Sequence, residues 1–260
     1  MQSIKINSQP NSKLSAVCIL NQIQIKFCHI SNRCSHADHQ EGTIIQWFLF
    51  IFNLLMVISF IKHLKQDCDL LLLVLPHLIF RNTRFLLSSS GERMLDILIL
   101  GEDHRNKYHI GFDIIAICRA TYRNYVKNHK EGASTIDQQL VRVIIGDYRP
   151  TFTRKIKEIL LAVIIRCRFD RRQLAISYLD IAYYGTNYQS LDSMLEKFGL
   201  SREDDIDLQT CASIVARLKY PEPKIKTDMN FGRIERRTSY LIRLYLRKHP
   251  NCHYENQSLH

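Results

Sequence analysis

Residues 131–142 read Glu131-Gly-Ala-Ser134-Thr135-Ile136-Asp137-Gln138-Gln139-Leu140-Val141-Arg142. Two small residues lead to a pair of hydroxyl residues, and Ser134 or Thr135 can cap a helix that continues with Ile136 and Leu140 one turn apart. The first-turn amides of such a helix are unpaired donors and suit an anionic group. Gln138 and Gln139 add side-chain amides close by, and Arg142 adds a fixed positive charge. On these residues alone, the alternative is an ordinary capped amphipathic helix over Thr135–Ile145.

Working outward, the next helix is predicted over Thr153–Arg168, capped by Thr153 and preceded by Pro150. It places Arg154, Glu158 and Ala162 on one face at four-residue spacing, with Lys155 beside them. A lone Arg/Glu pair of this kind is commonly a surface ion pair contributing about 0.2–0.5 kcal/mol. Three cations around one carboxylate (Arg154, Lys155 and Lys157 around Glu158) also suit holding a diphosphate. Upstream lies Glu102-Asp103-His-Arg-Asn-Lys-Tyr-His109-Ile-Gly111-Phe-Asp113. A carboxylate against a partly apolar wall has a raised proton affinity and can serve as a base, whereas the alternative is a solvated, charged turn. Downstream, Arg171–Tyr184 reads as a packed helix ending near Gly185. Apolar residues three and four apart also predict helices over Asp113–Asn128, Leu208–Leu218 and Phe231–Lys248. Strand-like alternation is scarce, so the domain is expected to be mainly α.

The whole chain agrees with that reading. Its 260 residues are 46% hydrophobic, with only 9 Gly and 6 Pro. That composition buries a core and disfavours disorder or a loop-rich all-β fold. A net charge of +11 calls for an anionic partner: nucleic acid, anionic lipid or a phosphorylated substrate. No groove-reading motif supports nucleic acid. The eight cysteines form no C-x-x-C pair, and Cys118, Cys167 and Cys211 fall in apolar helical runs, which argues against a disulfide framework. Cys28, His29, Cys34, His36 and His39 are zinc-ligand types, but their spacing fits no common finger, so no metal site is assigned and residues 1–42 read as a polar tail.

Residues 43–61 carry the uncharged run Ile44–Ile61. As a helix it reaches about 27 Å, enough for a bilayer core, so a single membrane-spanning anchor is expected, with a buried core helix as the alternative. Lysine and arginine on the two sides give no clear orientation. Residues 62–89 are read as a membrane-proximal connection. Within them Leu70–Phe80 is interrupted by Pro76 and is too short to span, leaving a core segment or one resting on the membrane surface. A catalytic domain over 90–248 and a tail over 249–260 complete the expected organisation.

Taken together, the four segments resemble the peptidoglycan glycosyltransferase family, the transglycosylase module of penicillin-binding proteins and their monofunctional relatives. Glu102, Asp103, His109 and Gly111 match the family's first motif. Gly132, Ser134, Thr135, Ile136, Gln138, Gln139 and Leu140 match the second. Arg154, Lys155 and Glu158 match the third, and Tyr178, Leu179 and Gly185 the fourth. Arg233, Arg236 and Arg237 look like its closing basic helix. The resemblance covers roughly 90–248 and implies a lysozyme-like helical fold, preceded by a single N-terminal membrane-spanning helix.

The implied substrate is a lipid-linked disaccharide diphosphate, polymerised at the outer face of the bacterial cytoplasmic membrane. Glu102 would be the catalytic base. Glu158, with Arg142, Arg154, Lys155 and Lys157, would hold the donor diphosphate. Asp103, His109, Ser134, Thr135, Gln138 and Gln139 would complete the binding site. No cofactor is required, a divalent cation stays open, and cell-wall synthesis proteins are implied partners. No transpeptidase domain is expected, because the chain ends soon after the last helix and has no S-x-x-K motif.

The sequence also departs from the family pattern. Asn106 stands for an aromatic residue, Ala133 for Gly, Asp137 for Thr, Arg142-Val143 for Lys-Asn, Ile176 for Glu and Asp180 for Asn, and the glycines after Gly185 are missing. Arg142 keeps the charge, while Ile176 and the missing glycines predict a loosened site; the departures together keep a second reading in play, a catalytically weakened membrane protein that binds precursor or partners. A glycan-cleaving hydrolase of similar fold is disfavoured by the basic cluster around Glu158.

Overall fold

The computed structural model describes residues 39–126, 132–224 and 228–250; the polar tail with Cys28, His29, Cys34 and His36, the side chain of His39, Glu131 and the chain after residue 250 lie outside them. The chain divides into two compact units, Met1–Ser59 and Phe60–His260. In the first, the described part is the start of helix α1 (His39–Leu87). Its Trp47, Phe48, Phe50, Phe52 and Leu55 are all exposed. A stretch of this helix is long and apolar enough to cross a membrane, and none of it is buried. The buried-core alternative therefore does not describe the run expected at 43–61. Its apolar side chains need a nonaqueous partner.

In the second unit the same helix enters the core. Leu71 and Leu75 are fully buried, followed by Phe85. The expected break at Pro76 does not occur, and the helix runs through it. A helix-interior proline costs about 3 kcal/mol, and burying two leucines returns a comparable amount at about 1.5–3 kcal/mol each. One face of Leu70–Phe80 thus lies in the core through Leu71 and Leu75, while Leu70, Leu73 and Phe80 stay exposed, and the packed domain begins well before residue 90.

Among the described residues eight further α-helices follow: α2 (Ser89–Glu102), α3 (Ile114–Val126), α4 (Ile136–Ile145), α5 (Phe152–Arg168), α6 (Arg171–Ile181), α7 (Leu191–Lys197), α8 (Leu208–Lys219) and α9 (Asp228–Lys248). Among the described residues there is no strand beyond two isolated bridges at Gly185. α2 packs on α6, α8 and α9, and α4 packs on α5 and α6. Helix α6, buried almost throughout, therefore joins a layer of α2, α8 and α9 to a layer of α4 and α5.

Local sequence sets the helix starts. Thr135 caps α4 by accepting from the Gln138 amide, and Asp170 caps α6 in a reciprocal box with Gln173. Helix α5 begins one residue earlier than expected, and its cap lies two residues earlier. Thr151, not Thr153, accepts the Arg154 amide, because only Thr151 stands outside the helix in extended backbone, where a side chain can reach back to the first turn. Helix α6 stops at Ile181, short of Tyr184, as the backbone extends at Ala182.

One close approach decides where the first motif lies. Gly111 has φ +110°, and a Cβ there would sit 2.6 Å from the Ala162 carbonyl oxygen and 2.8 Å from the Val163 nitrogen of α5. Both obstacles are backbone, so neither can swing aside. Gly111→Ala is expected to destabilise the protein by about 2–4 kcal/mol, by strain at positive φ and by displacement of the loop that carries His109. Thermal unfolding measured beside wild type checks this, and an unchanged midpoint would show that the loop does not need that approach.

Candidate active site

The last residue of α2 is Glu102. Its Oε1 accepts a hydrogen bond from Arg237 Nη2 of α9 at 2.9 Å, and the same nitrogen donates to the Gly101 carbonyl at 2.7 Å. The glycine before the glutamate lets α9 approach closely: a Cβ on Gly101 would lie 2.5 Å from the end of the Leu241 side chain and 3.3 Å from Arg237 Nη2. The Glu102 side chain keeps 17% of its surface accessible, enough to meet a ligand.

Behind it, Asp103 is buried and fully used. It accepts from His109 Nε2 at 3.0 Å, from Asn106 Nδ2 at 3.2 Å and from the Ile136 amide of α4 at 3.2 Å. His109 Nδ1 accepts from the Gly111 amide at 3.2 Å, so its ring proton resides on Nε2 and points at Asp103. Asp103 and His109 are therefore buried and bonded to each other within the loop they order. The anion expected at the start of α4 is in part the protein's own Asp103. Asp113 closes the loop by pairing with Arg105 at 2.7 Å and capping α3 through the Ile115 and Ala116 amides. Burial works against its charge, but the amides and Arg105 hold its carboxyl below the usual range.

The second centre is Glu158, 3% exposed on α5. Arg142 grips it with two bonds, Nε to Oε2 at 3.1 Å and Nη2 to Oε1 at 3.0 Å. Lys155 Nζ reaches Oε1 at 2.7 Å, and Arg154 Nη1 bonds Oε2. Lys155 Nζ also donates to Ser134 Oγ at 2.9 Å and to Gln138 Oε1 at 2.8 Å. Three cations on one buried carboxylate leave a net positive charge of two at the mouth of α4 and α5. Burial opposes ionisation of Glu158, yet Arg142 and Lys155 keep its carboxyl below the ordinary range. Burial pushes the Lys155 ammonium down and Arg142 and Arg154 add to that, while Glu158 works against it.

The structure thus gathers Ser134, Gln138, Arg142, Arg154, Lys155 and Glu158 into one cluster. It does not bring Lys157 onto Glu158, since its Nζ pairs with Asp67 of α1 at 2.6 Å. Thr135 is buried and donates to the Gly111 carbonyl at 2.7 Å, which ties the first motif to the second. Gln139 accepts from the Tyr178 hydroxyl at 2.6 Å. Burial drives the Tyr178 phenol pKa upward, with the Glu102 charge adding to it and Arg142 opposing. Tyr178 therefore lies within electrostatic reach of both centres.

Four of the departures noted in the sequence are packed into the domain. Asn106 is buried and donates to Asp103. Ile176 fills the core. Asp180, fully buried, accepts from Arg81 Nε at 2.9 Å, from Asn82 Nδ2 at 2.8 Å and from Arg202. Asp137 is fully buried and pairs with Arg166 of α5, Nε to Oδ2 at 3.0 Å. Two charged departures each have a cationic partner far away in sequence, which no local pattern shows. Reading the sequence also missed Arg237 as the partner of Glu102. The available signal was the spacing of Arg233, Arg236, Arg237 and Tyr240, which shares one helix face. Among the described residues, no group of three or more His, Cys, Asp or Glu side chains is placed to hold a metal.

A helical domain with a carboxylate at a helix end and a second carboxylate wrapped by three cations defines a class of site rich in fixed positive charge. Comparison with known proteins gives that class a family. The transglycosylase family model matches residues 81–245, and the chain belongs to that family of peptidoglycan glycosyltransferases. Penicillin-binding protein 1A of Rickettsia prowazekii is 28% identical over 153 residues, 57% of this chain and 19% of that protein. Penicillin-binding protein 1A of Aquifex aeolicus is 30% identical over 131 residues, 50% of this chain and 18% of its own. The monofunctional glycosyltransferase of Staphylococcus epidermidis is 30% identical over 142 residues, 52% of this chain and 53% of that protein. The chain thus spans about a fifth of the length of the two penicillin-binding proteins and about half of the third relative.

Proposed function

We propose that this chain polymerises peptidoglycan glycan strands from lipid-linked disaccharide diphosphate at the bacterial cytoplasmic membrane. The exposed apolar run of α1 would anchor it by a single span, with the catalytic domain on the outer side. Glu102 would take the proton of the acceptor's 4-hydroxyl as that oxygen attacks the donor's anomeric carbon with inversion. The bond from that carbon to the diphosphate breaks, and the polyprenyl diphosphate leaves with its electron pair. A leaving group that is already anionic is stabilised by fixed positive charge and needs no strong acid. The observation that carries the reading is the Glu158 cluster, where Arg142, Arg154 and Lys155 are preordered by one carboxylate with Ser134 and Gln138 beside them. No cofactor enters this scheme, and a divalent cation on the diphosphate is compatible with it.

The test is incubation of the purified chain with labelled lipid-linked precursor. Glycan polymer is the expected product. Precursor that binds without polymer forming would favour a binding protein, and fragments released from preformed glycan would favour a hydrolase.

A second outcome concerns Glu158→Gln. Loss of its charge leaves three cations converging without a counter-charge, and the polymerisation rate is expected to fall about a hundredfold. Glu158 is also the group that supports the Lys155 ammonium against burial and its arginine neighbours. Without it, Lys155 loses its proton at lower pH, so the alkaline limb of the residual activity moves to lower pH. A pH–rate profile of the variant beside wild type checks the direction, and an unmoved limb would show that Lys155 does not depend on Glu158.

A further inference from the structure

Around Arg237, the partner of Glu102, lies a second basic feature. Lys219 and Tyr220 at the end of α8, with Arg233, Arg236, Arg237 and Tyr240 of α9, line an open hollow of about 660 Å³. Among the described residues, no carboxylate pairs with Lys219, Arg233 or Arg236; the Arg236 Nε merely donates to the Gly232 carbonyl at 2.9 Å. Arg237 is the link. Its Nη2 holds Glu102 and the Gly101 carbonyl, its guanidinium lies 5.2 Å above the Tyr240 ring, and its Nε is buried without a partner. Four cations gathered round one concavity repel each other until an anion fills it. A buried, unanswered N–H on the one cation that also holds Glu102 is a donor waiting for an acceptor.

We propose that this hollow is a phosphate-binding site, distinct from the Glu158 cluster, and that Arg237 couples its filling to Glu102. A phosphate-bearing group there would be held by Lys219, Arg233 and Arg236 and would compete with Glu102 for the Arg237 guanidinium. Filling the hollow would then free the Glu102 carboxylate to accept a proton. The link to proton transfer rests on the proposed function; the phosphate site itself does not. The same ligand chemistry is offered by the diphosphate of a lipid-linked sugar and by the headgroup of an anionic phospholipid.

The probe is inorganic pyrophosphate, titrated calorimetrically into the full-length protein in neutral detergent, with Arg142→Ala/Lys155→Ala as background to silence the Glu158 cluster. Binding in that background is expected to weaken at least tenfold in Arg233→Ala/Arg236→Ala, two exposed positions whose loss leaves the fold intact. Glu102→Gln should tighten binding severalfold, because a neutral amide oxygen holds the Arg237 guanidinium less strongly than the carboxylate does. In an Arg237→Ala background that gain should vanish; a gain that persists would reflect long-range charge alone and would overturn the coupling. Unaltered pyrophosphate binding in Arg233→Ala/Arg236→Ala would overturn the site. To separate the sources, the titration is repeated in nanodiscs of phosphatidylcholine with and without phosphatidylglycerol. Competition by phosphatidylglycerol assigns the hollow to a phospholipid headgroup, and its absence assigns it to a soluble or sugar-linked diphosphate. Pyrophosphate binding with the expected coupling, but no glycan polymer, would leave this inference standing while the polymerase reading falls. Polymer without a second pyrophosphate site would do the reverse.

Discussion

Glu102→Gln is expected to lower glycan polymerisation by about 10²–10⁴-fold, the usual contribution of a positioned general base, with little change in stability. The near-isosteric amide keeps a carbonyl oxygen for Arg237, so the contact between the end of α2 and α9 survives. What is lost is the anionic oxygen that can take a proton. Precursor binding should be retained, because the Glu158 cluster does not touch this residue. Labelled precursor, a thermal unfolding curve and a binding titration on the same preparation check the three statements together. A variant that still polymerises at close to the wild-type rate would remove Glu102 from the chemistry.

Arg166→Met should produce the largest stability loss of any single change considered, about 3–5 kcal/mol near neutral pH, because it leaves Asp137 buried with no counter-charge. The loss has a pH signature. Burial raises the Asp137 carboxyl to about 6, with Arg166 pulling it back. A carboxyl that is harder to ionise when folded binds more protons in the folded state across the window between its two pKa values, about 4 to 6 here. Its contribution to stability therefore falls as pH rises through that window. Removing Arg166 takes away the attraction that offsets burial and carries the raised value higher. The gap between variant and wild type should be widest near about pH 8 and should narrow by about pH 5, where a neutral carboxyl suffices. Chemical unfolding at both pH values measures it. An equal loss at both would mean that Arg166 serves only by packing. Arg166→Met combined with Asp137→Thr should recover most of the stability, since removing both members of a buried pair is far less costly than removing one.

How much of this was legible depended on the range over which each interaction acts. Helix positions, and most caps, follow from neighbours within four residues, so α3 to α6, α8 and α9 were readable to within a few residues. The Glu158 cluster was readable for the same reason: Arg154, Lys155 and Glu158 share one helical turn, and Arg142 lies at the end of a recognisable motif. Lys157 was misplaced because adjacency in sequence does not put successive residues on the same helix face. The partners of Asp137, Asp180 and Glu102 were not readable at all, since Arg166, Arg81 with Arg202, and Arg237 come from other elements. Asp137 and Asp180 stood in the sequence only as departures from the family pattern. A charge in a core looks like damage until its counter-charge is found, and only the folded chain supplies it.

The segment between the apolar run and the first motif looked like a tether. Yet Leu71, Leu75 and Phe85 are sealed within the core, Arg81 and Asn82 answer the Asp180 charge, and Asp67 answers Lys157. Cutting the chain at residue 90 to free the domain from its membrane helix would expose that apolar seam to water and strip a buried aspartate of two donors. The water-soluble unit that can be made from this protein must therefore begin within α1, ahead of Asp67. The last turns of the membrane helix are, in folding terms, the first element of the enzyme domain.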